Sequence, residues 1–306
     1  MNFCRAKIAG SIGNTVSLKN RAGANSMKKI IKSLIPPIFW KGLQKLKKSA
    51  WDYVGDYPSW QEAEKNAVGY DAPEIIARVL AATEKVLAGE AVFERDSVLF
   101  YTPEYNWDLV LALYRIALDK GRLHLLDFGG ALGSVYRQHA RILKPAIPDI
   151  SWNIVEQKSF SEAAAKLDHE KELHFRDTVE DALANCDTDV VLFSSVLQYI
   201  DNYEEIVEKV KSADYIIIDR HPEFCERENP AFTVQKVSEP IYSALYPLKI
   251  FGRGELEKAF LPEYAILEKW QYDSDIKQFF KSRDGMKYET HQIGMLLKNK
   301  VVDAVR

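Results

Sequence analysis

The chain has 306 residues, 47% hydrophobic and 28% charged, with a net charge of −3 at pH 7, a globular composition large enough for one big domain or two ordinary ones. So slight an acidic balance excludes a general nucleic-acid binder, whose affinity needs a basic surplus to meet the phosphates. Cys4, Cys186 and Cys225 contain no CxxC pair and fit neither a disulfide framework nor a tetrahedral metal site, so no metal is expected and a reducing, cytoplasmic setting is.

In chain order, residues 1–26 lack helical or alternating periodicity and an apolar signal core; they read as a disordered tail, with Met27 a candidate start. Residues 27–50 form a basic amphipathic segment, with seven lysines and no carboxylate across 27–48, interleaved with Ile30, Leu34, Phe39, Trp40 and Leu43. It suits either peripheral contact with anionic lipid at the inner face of a membrane or a helix laid on the protein's own body. Residues 51–120 read as a helical cap. Ser59 caps "WQEAE", "APEIIARVLAATEKVLAG" runs from a Pro to Gly89, and "NWDLVLALYRIALDKG" is a third helix. Between the last two lies "FERDSVLFY", a charged patch beside a short apolar run.

From residue 121 to 300 the pattern changes to an α/β domain. Strands "LHLLDF", "SWNIVE", "LHFR", "DVVLFSS" and "DYIIIDR" alternate with helices at 134–143, 159–167, 179–184 and 203–210, which predicts a mostly parallel sheet with helices on both faces. An irregular insertion at 222–248, a helix near Gly254 and Glu255, and an antiparallel pair, "YAILEKWQYD" with "HQIGMLLKN", complete a seven-stranded, Rossmann-like sheet. Five parallel strands followed by a terminal hairpin pair is the chain order of most small-molecule methyltransferases.

"LLDFGGALGS", residues 125–134, sits where such sheets bind ligands, at the end of the first strand. Gly129, Gly130 and Gly133 are expected to let a ligand approach the backbone, with Gly130 taking the unusual backbone angle and Ala131 keeping a negative φ. The dinucleotide fingerprint G-x-G-x-x-G fails here, because Ala131 and Ser134 stand where glycines would. Asp127 would repel a pyrophosphate but attract the ammonium of S-adenosylmethionine (SAM). Glu156, ending the second strand, is placed for ribose hydroxyls, and Asp177, ending the third, for an adenine amino group or as a helix cap. Three acids ending three successive strands suit a cationic adenosyl ligand.

"LLDFGGALGS", "WNIVEQ", "VVLFSSVLQYI" and "IIIDR", together with the upstream "GDYPSWQEAEKNAVGYDAPEII" and "FERDSVLFY", resemble a bacterial family of SAM-dependent methyltransferases encoded in gene clusters for surface polysaccharides (O-antigen or capsule). The similarity runs from about residue 29 to 298 and implies the class I methyltransferase fold with SAM as cofactor. His221 departs from the family pattern, which has a small residue there.

The expected function is methyl transfer to a sugar or related small molecule, at a hydroxyl, in surface-polysaccharide biosynthesis. Groups beyond the fourth and fifth strands lie beside the methyl group: Ser194 and Ser195, expected to bind the cofactor, with Gln198 and Tyr199 towards the acceptor, then Asp219, Arg220 and His221. His221 is the best base by intrinsic pKa, with Asp219 orienting it or acting alone; alternatively His221 lies in an exposed loop and Asp219 caps the sheet. Arg220 either pairs with an acid such as Glu156 or Asp96 or holds an anionic acceptor. Tyr70, Glu94, Arg95, Asp96 and Tyr101 are expected to fold over the open end of the sheet. Competing readings are a non-catalytic relative that recruits an assembly complex to the membrane and an NAD(P)-dependent oxidoreductase, which Asp127 disfavours.

Overall fold

The computed structural model describes residues 51–67, 73–238, 241–272 and 277–301. The chain divides into two compact units, Met1–Ser49 and Ala50–Arg306. The first unit, with the basic amphipathic segment and the proposed tail, lies outside the described residues, as does Tyr70.

Ala50–Arg306 opens with β1 (Trp51–Tyr57), α1 (Trp60–Glu64) and α2 (Pro73–Leu87), followed by the hairpin β2 (Phe93–Arg95) and β3 (Val98–Phe100). Ser59 caps α1 by accepting from the Glu62 N–H, and α2 buries Ile75, Val79 and Ala82 at helical spacing. The region read as a helical cap therefore carries three strands. β1 is one of them because its partner lies far along the chain, in a segment whose pattern alone reads as irregular.

The alternating region follows as α3 (Trp107–Lys120), β4 (Leu123–Phe128), α4 (Ser134–Ala146), β5 (Ile150–Val155), α5 (Lys158–Ala164), β6 (Leu173–Arg176), α6 (Val179–Asn185), β7 (Val190–Ser194), α7 (Tyr203–Lys209) and β8 (Tyr215–Phe224). After it come β9 (Ala231–Val237), β10 (Ala244–Ile250), α8 (Glu255–Phe260), β11 (Tyr264–Tyr272), β12 (Gln278–Lys281) and β13 (Lys287–Asn299). The central sheet has eight strands rather than the expected seven: a row in the order β11-β13-β8-β7-β4-β5-β6, with the short β12 pairing antiparallel to β13 beside it. β4 to β8 run parallel, while β13 lies antiparallel between β8 and β11.

Without β12, the row in order of appearance reads 3-2-1-4-5-7-6. The fold is that of the class I methyltransferases. Its strands are apolar on both faces because helices cover both: Leu126, Val191 and Ile216 face a core shared with α6, α7 and α8, while the alternating Leu125, Val190 and Ile217 face one shared with α3 and α4. Full burial of each such side chain contributes about 1.5–3 kcal/mol.

The insertion is ordered rather than irregular. β9 pairs with β1 on one side and β10 on the other, forming a second, three-stranded sheet. Two features then position the site. β8 runs five residues past the end of the β7 ladder at Asp219 and Ser194, up to Phe224. Opposite its residues 219 and 220, the β13 register shifts between Ile293 and Met295. Such a bulge re-aims side chains, and it holds Arg220 at φ 53°, a left-handed conformation rare for a non-glycine residue. Gly294 stands across from it because a Cβ there would meet the Trp270 indole at 2.1 Å.

Candidate active site

The glycine turn after β4 is pinned at both ends: the Gly129 N–H donates to the Val155 carbonyl at 2.8 Å and the Gly133 N–H to the Gly130 carbonyl at 3.0 Å. Gly129, Ala131 and Gly133 have φ of 73°, 47° and 93°. The expected relocation of the unusual angle to Gly130 is therefore wrong; Ala131 carries it. Gly130 serves another need, because a Cβ there would lie 2.7 Å from the Asp127 carboxyl carbon. Added Cβ atoms at Gly129 and Gly133 would strike Val196 at 2.4 Å and Leu173 at 2.7 Å. The glycines thus admit the protein's own side chains as well as leaving the turn open.

Asp127 is 1% exposed. One carboxylate oxygen, Oδ2, accepts from the Trp152 indole N–H at 3.0 Å; the other, Oδ1, is buried and has no partner among the described residues. Burial, with smaller contributions from Glu156 and Asp219, pushes its pKa up to about 7 against the pull of the Trp152 bond and Arg220. Glu156 accepts from the N–H groups of Ala131 at 3.0 Å and Gln157 at 2.9 Å, which anchors the left-handed Ala131; burial raises its pKa too. Asp177 is exposed at the end of β6. It is not a helix cap: Thr178 caps α6 by accepting from the Asp181 N–H.

Beyond β7 and β8 a polar network gathers on Asp219, which is fully buried. Its carboxylate accepts from Ser194 Oγ at 2.6 Å, Asn106 Nδ2 at 3.0 Å, Arg220 Nε at 3.0 Å and the Tyr272 hydroxyl. Burial pushes its pKa up, but the Arg220 charge and these donors hold it below the usual carboxylate range. A carboxylate so engaged is a poor proton acceptor, which removes Asp219 as a base and makes it the hub that orients Arg220. Arg220 Nη2 also donates to Ser194 Oγ at 3.2 Å.

His221 is neither a base nor in an exposed loop. It lies fully buried inside β8, its Nε2 accepts the Leu197 N–H at 3.1 Å, and burial drives its pKa down to about 4. The lone pair a base would use holds the turn after β7 instead. In that turn Ser195 sits at φ 55°, its Oγ accepts from Gln198 Nε2 at 2.8 Å, and Gln198 Oε1 is buried without a partner among the described residues. Tyr199 donates to Gln235 of β9, which ties the second sheet to the site.

The β2–β3 hairpin reaches the same place. Glu94, 2% exposed, accepts from Ser134 Oγ at the start of α4 and from the Ser97 N–H, while Ser97 Oγ donates to the Ile241 carbonyl at 3.2 Å. Between these latches the turn residues Asp96 and Ser97 have φ of 51° and 64°, positive values that a two-residue hairpin turn demands and that non-glycine residues adopt at a cost. Asp96 is solvent-accessible yet surrounded by protein, which raises its carboxyl pKa against the opposing charges of Arg220 and Arg95. Tyr101 stands away, 70% exposed.

The sequence reading missed Asn106 and Tyr272. Asn106 had a signal, being the N-cap of α3 with its side chain accepting the Leu109 N–H; its second bond, to Asp219, did not. Tyr272, on the edge strand β11, had none. Two surface clefts, of about 260 and 650 Å³, are lined by other residues.

No family model matches the chain, and neither does any curated protein. Among solved structures it is similar to the N-terminal domain of EvdMO1, crystallised in the presence of SAH and D-fucose, with 14% identity and TM-score 0.42 over 73% of this chain and 97% of that one. A SAM-dependent methyltransferase from Anabaena variabilis gives 14% identity and 0.41, covering 74% and 95%. One from Clostridium acetobutylicum gives 10% and 0.38, covering 73% and 98%. At these values the fold assignment rests on the strand order.

Proposed function

We propose that the chain is a SAM-dependent methyltransferase acting on a small-molecule acceptor, a sugar or related compound, at a hydroxyl group. The observation that carries this reading is Asp127. A buried carboxylate with an orphaned oxygen is costly, and an ammonium would both partner that oxygen and favour the ionised form. A pyrophosphate would do the opposite. The residues fit the cofactor: Asp127 takes its ammonium, Glu156 its ribose hydroxyls and the exposed Asp177 its adenine amino group, with the Gly129–Gly133 turn alongside. When bound, SAM supplies an electrophilic methyl group on its sulfonium.

The chain's own contribution is placement, worth up to roughly 7–11 kcal/mol when reacting atoms are held in line. Ser194, Ser195, Gln198 and Arg220 border the acceptor side, fixed by Asp219. A hydroxyl acceptor also gives up a proton. Asp96 takes it, since its carboxylate is accessible, has no hydrogen bond among the described residues and has a pKa raised by burial. The surface-polysaccharide setting rests on the sequence resemblance, and residues 27–48 are the proposed contact with a membrane. Among the described residues no helix is long and apolar enough to cross one.

Calorimetry with S-adenosylhomocysteine and transfer of labelled methyl groups from SAM to a cell-envelope sugar extract test this reading. Binding and transfer are expected, with Asp96→Asn slowing transfer about 10²–10⁴-fold while leaving cofactor affinity intact. A protein that binds no S-adenosylhomocysteine would end it.

A further inference from the structure

Arg95 is a cation that no acidic side chain of the described residues meets directly. It ends β2 with its guanidinium against the rings of Phe93 and Phe100, 5.7 and 5.2 Å from their centroids. The two rings stack on each other, centroids 4.4 Å apart, and the guanidinium lies beside the stack; among the described residues no hydrogen bond or ion pair reaches it, and its Nε–H is buried without an acceptor. Burial lowers its pKa, and the like charge of Arg220 lowers it further; Asp96, Glu104 and Asp219 act on it only through space. Arg220 differs, being engaged by Asp219 and Ser194.

The backbone that carries Arg95 is held in place. Glu94 on Ser134 and Ser97 on the Ile241 carbonyl fix the hairpin on either side of it. A buried N–H without an acceptor is rare enough in proteins to need an explanation, and a guanidinium fork matches a carboxylate or phosphate in shape and charge.

We propose that Arg95 is an anion receptor, binding a carboxylate or phosphate carried by the molecule in the cleft, with Arg220 as the second positive charge beside it. Within the methyltransferase reading two sources offer that group: the cofactor's own carboxylate or an acidic acceptor such as a sugar acid or sugar phosphate.

Titration calorimetry of the full chain with three probes separates them. S-adenosylhomocysteine carries the carboxylate, 5′-methylthioadenosine lacks the whole amino-acid part, and inorganic phosphate is added to protein saturated with S-adenosylhomocysteine. Arg95→Gln should weaken either S-adenosylhomocysteine or phosphate by roughly 10- to 100-fold and leave 5′-methylthioadenosine unchanged. Arg95→Lys, which keeps the charge but loses the fork, should fall between; if Arg95→Gln does not fold, it carries the comparison. Arg115→Gln, at a surface pair with Glu268, should change nothing. Loss of S-adenosylhomocysteine affinity names the cofactor as the source, and loss of phosphate alone names the acceptor. Unchanged affinity for both, or parallel loss of 5′-methylthioadenosine, overturns the proposal. If the unmutated protein binds neither adenosyl compound, the methyltransferase reading fails separately, and phosphate binding to the unloaded protein decides for Arg95 by the same comparison.

Discussion

Asp127 couples stability and binding in opposite senses. Its pKa rises from an ordinary 3.8 to about 7 on folding, so its contribution to stability is fully present below pH 3.8 and is lost as pH rises through about 7. An ammonium ligand needs the ionised form, so cofactor affinity should climb over the upper part of the same range. Asp127→Asn keeps an oxygen for Trp152 and removes the buried charge. We expect it to flatten the stability profile between pH 4 and 7, raise the melting temperature at pH 8 and weaken S-adenosylhomocysteine roughly 10- to 100-fold. Thermal scans and calorimetry across pH check both halves; an affinity that stays level through pH 7 in the unmutated protein would count against Asp127 as the ammonium partner.

At the scale of elements, the turn after β4 and the turn after β7 hold each other. Gly129 is shaped to Val196, whose Cγ2 would lie 2.4 Å from an added Cβ, and the Leu197 N–H beside it is fixed by His221. Gly129→Ala should cost about 2–5 kcal/mol, the sum of a left-handed alanine and an overpacked contact. Adding Val196→Ala should recover the overpacking part, about 1–3 kcal/mol, while the backbone part stays. Denaturant unfolding of the two single variants and the double variant gives the cycle; additive losses would show that the two turns are not packed as described. The bulge at Arg220 and the hairpin tip at Asp96 belong to the same scale, since each uses a local positive φ to aim a charge that a regular strand would turn elsewhere.

At the scale of the molecule, β1 shows what a long-range pairing adds. It borders β9, whose other neighbour is β10, and Thr233 of β9 donates back to the Gly55 carbonyl at 2.8 Å. A chain beginning at Ala50 should melt close to the full-length protein, because Ala50–Arg306 is a compact unit by its own contacts. One beginning at residue 58 should be several degrees less stable and prone to associate through the bared β9 edge. Light scattering and melting curves of the two truncations distinguish these outcomes. β1 also marks where legibility stops. The parallel sheet was readable because "LHLLDF" or "DVVLFSS" declares a buried strand from its own residues and the helices between announce the crossovers. "WDYVGDY" becomes a strand only by pairing with "AFTVQKV", some 180 residues away, so it does not carry the signal alone. The site divided in the same way. Asp127, Glu156 and Ser194 end strands and were legible from position. The functions of His221 and Asp219 turned on who donates to whom, and Asn106 and Tyr272 entered through contacts between distant segments.

The bond from the Trp152 indole to Asp127 gives the protein an optical gauge. Trp152 is one of six tryptophans and is fully buried, so its emission responds little to bulk solvent and strongly to the charge at the far end of its N–H. Ionising Asp127, or covering it with a cation, changes the field along the excited indole and should move the Trp152 spectrum. The difference between the unmutated protein and Trp152→Phe would then display the proton on Asp127 directly, without a dye or a turnover assay.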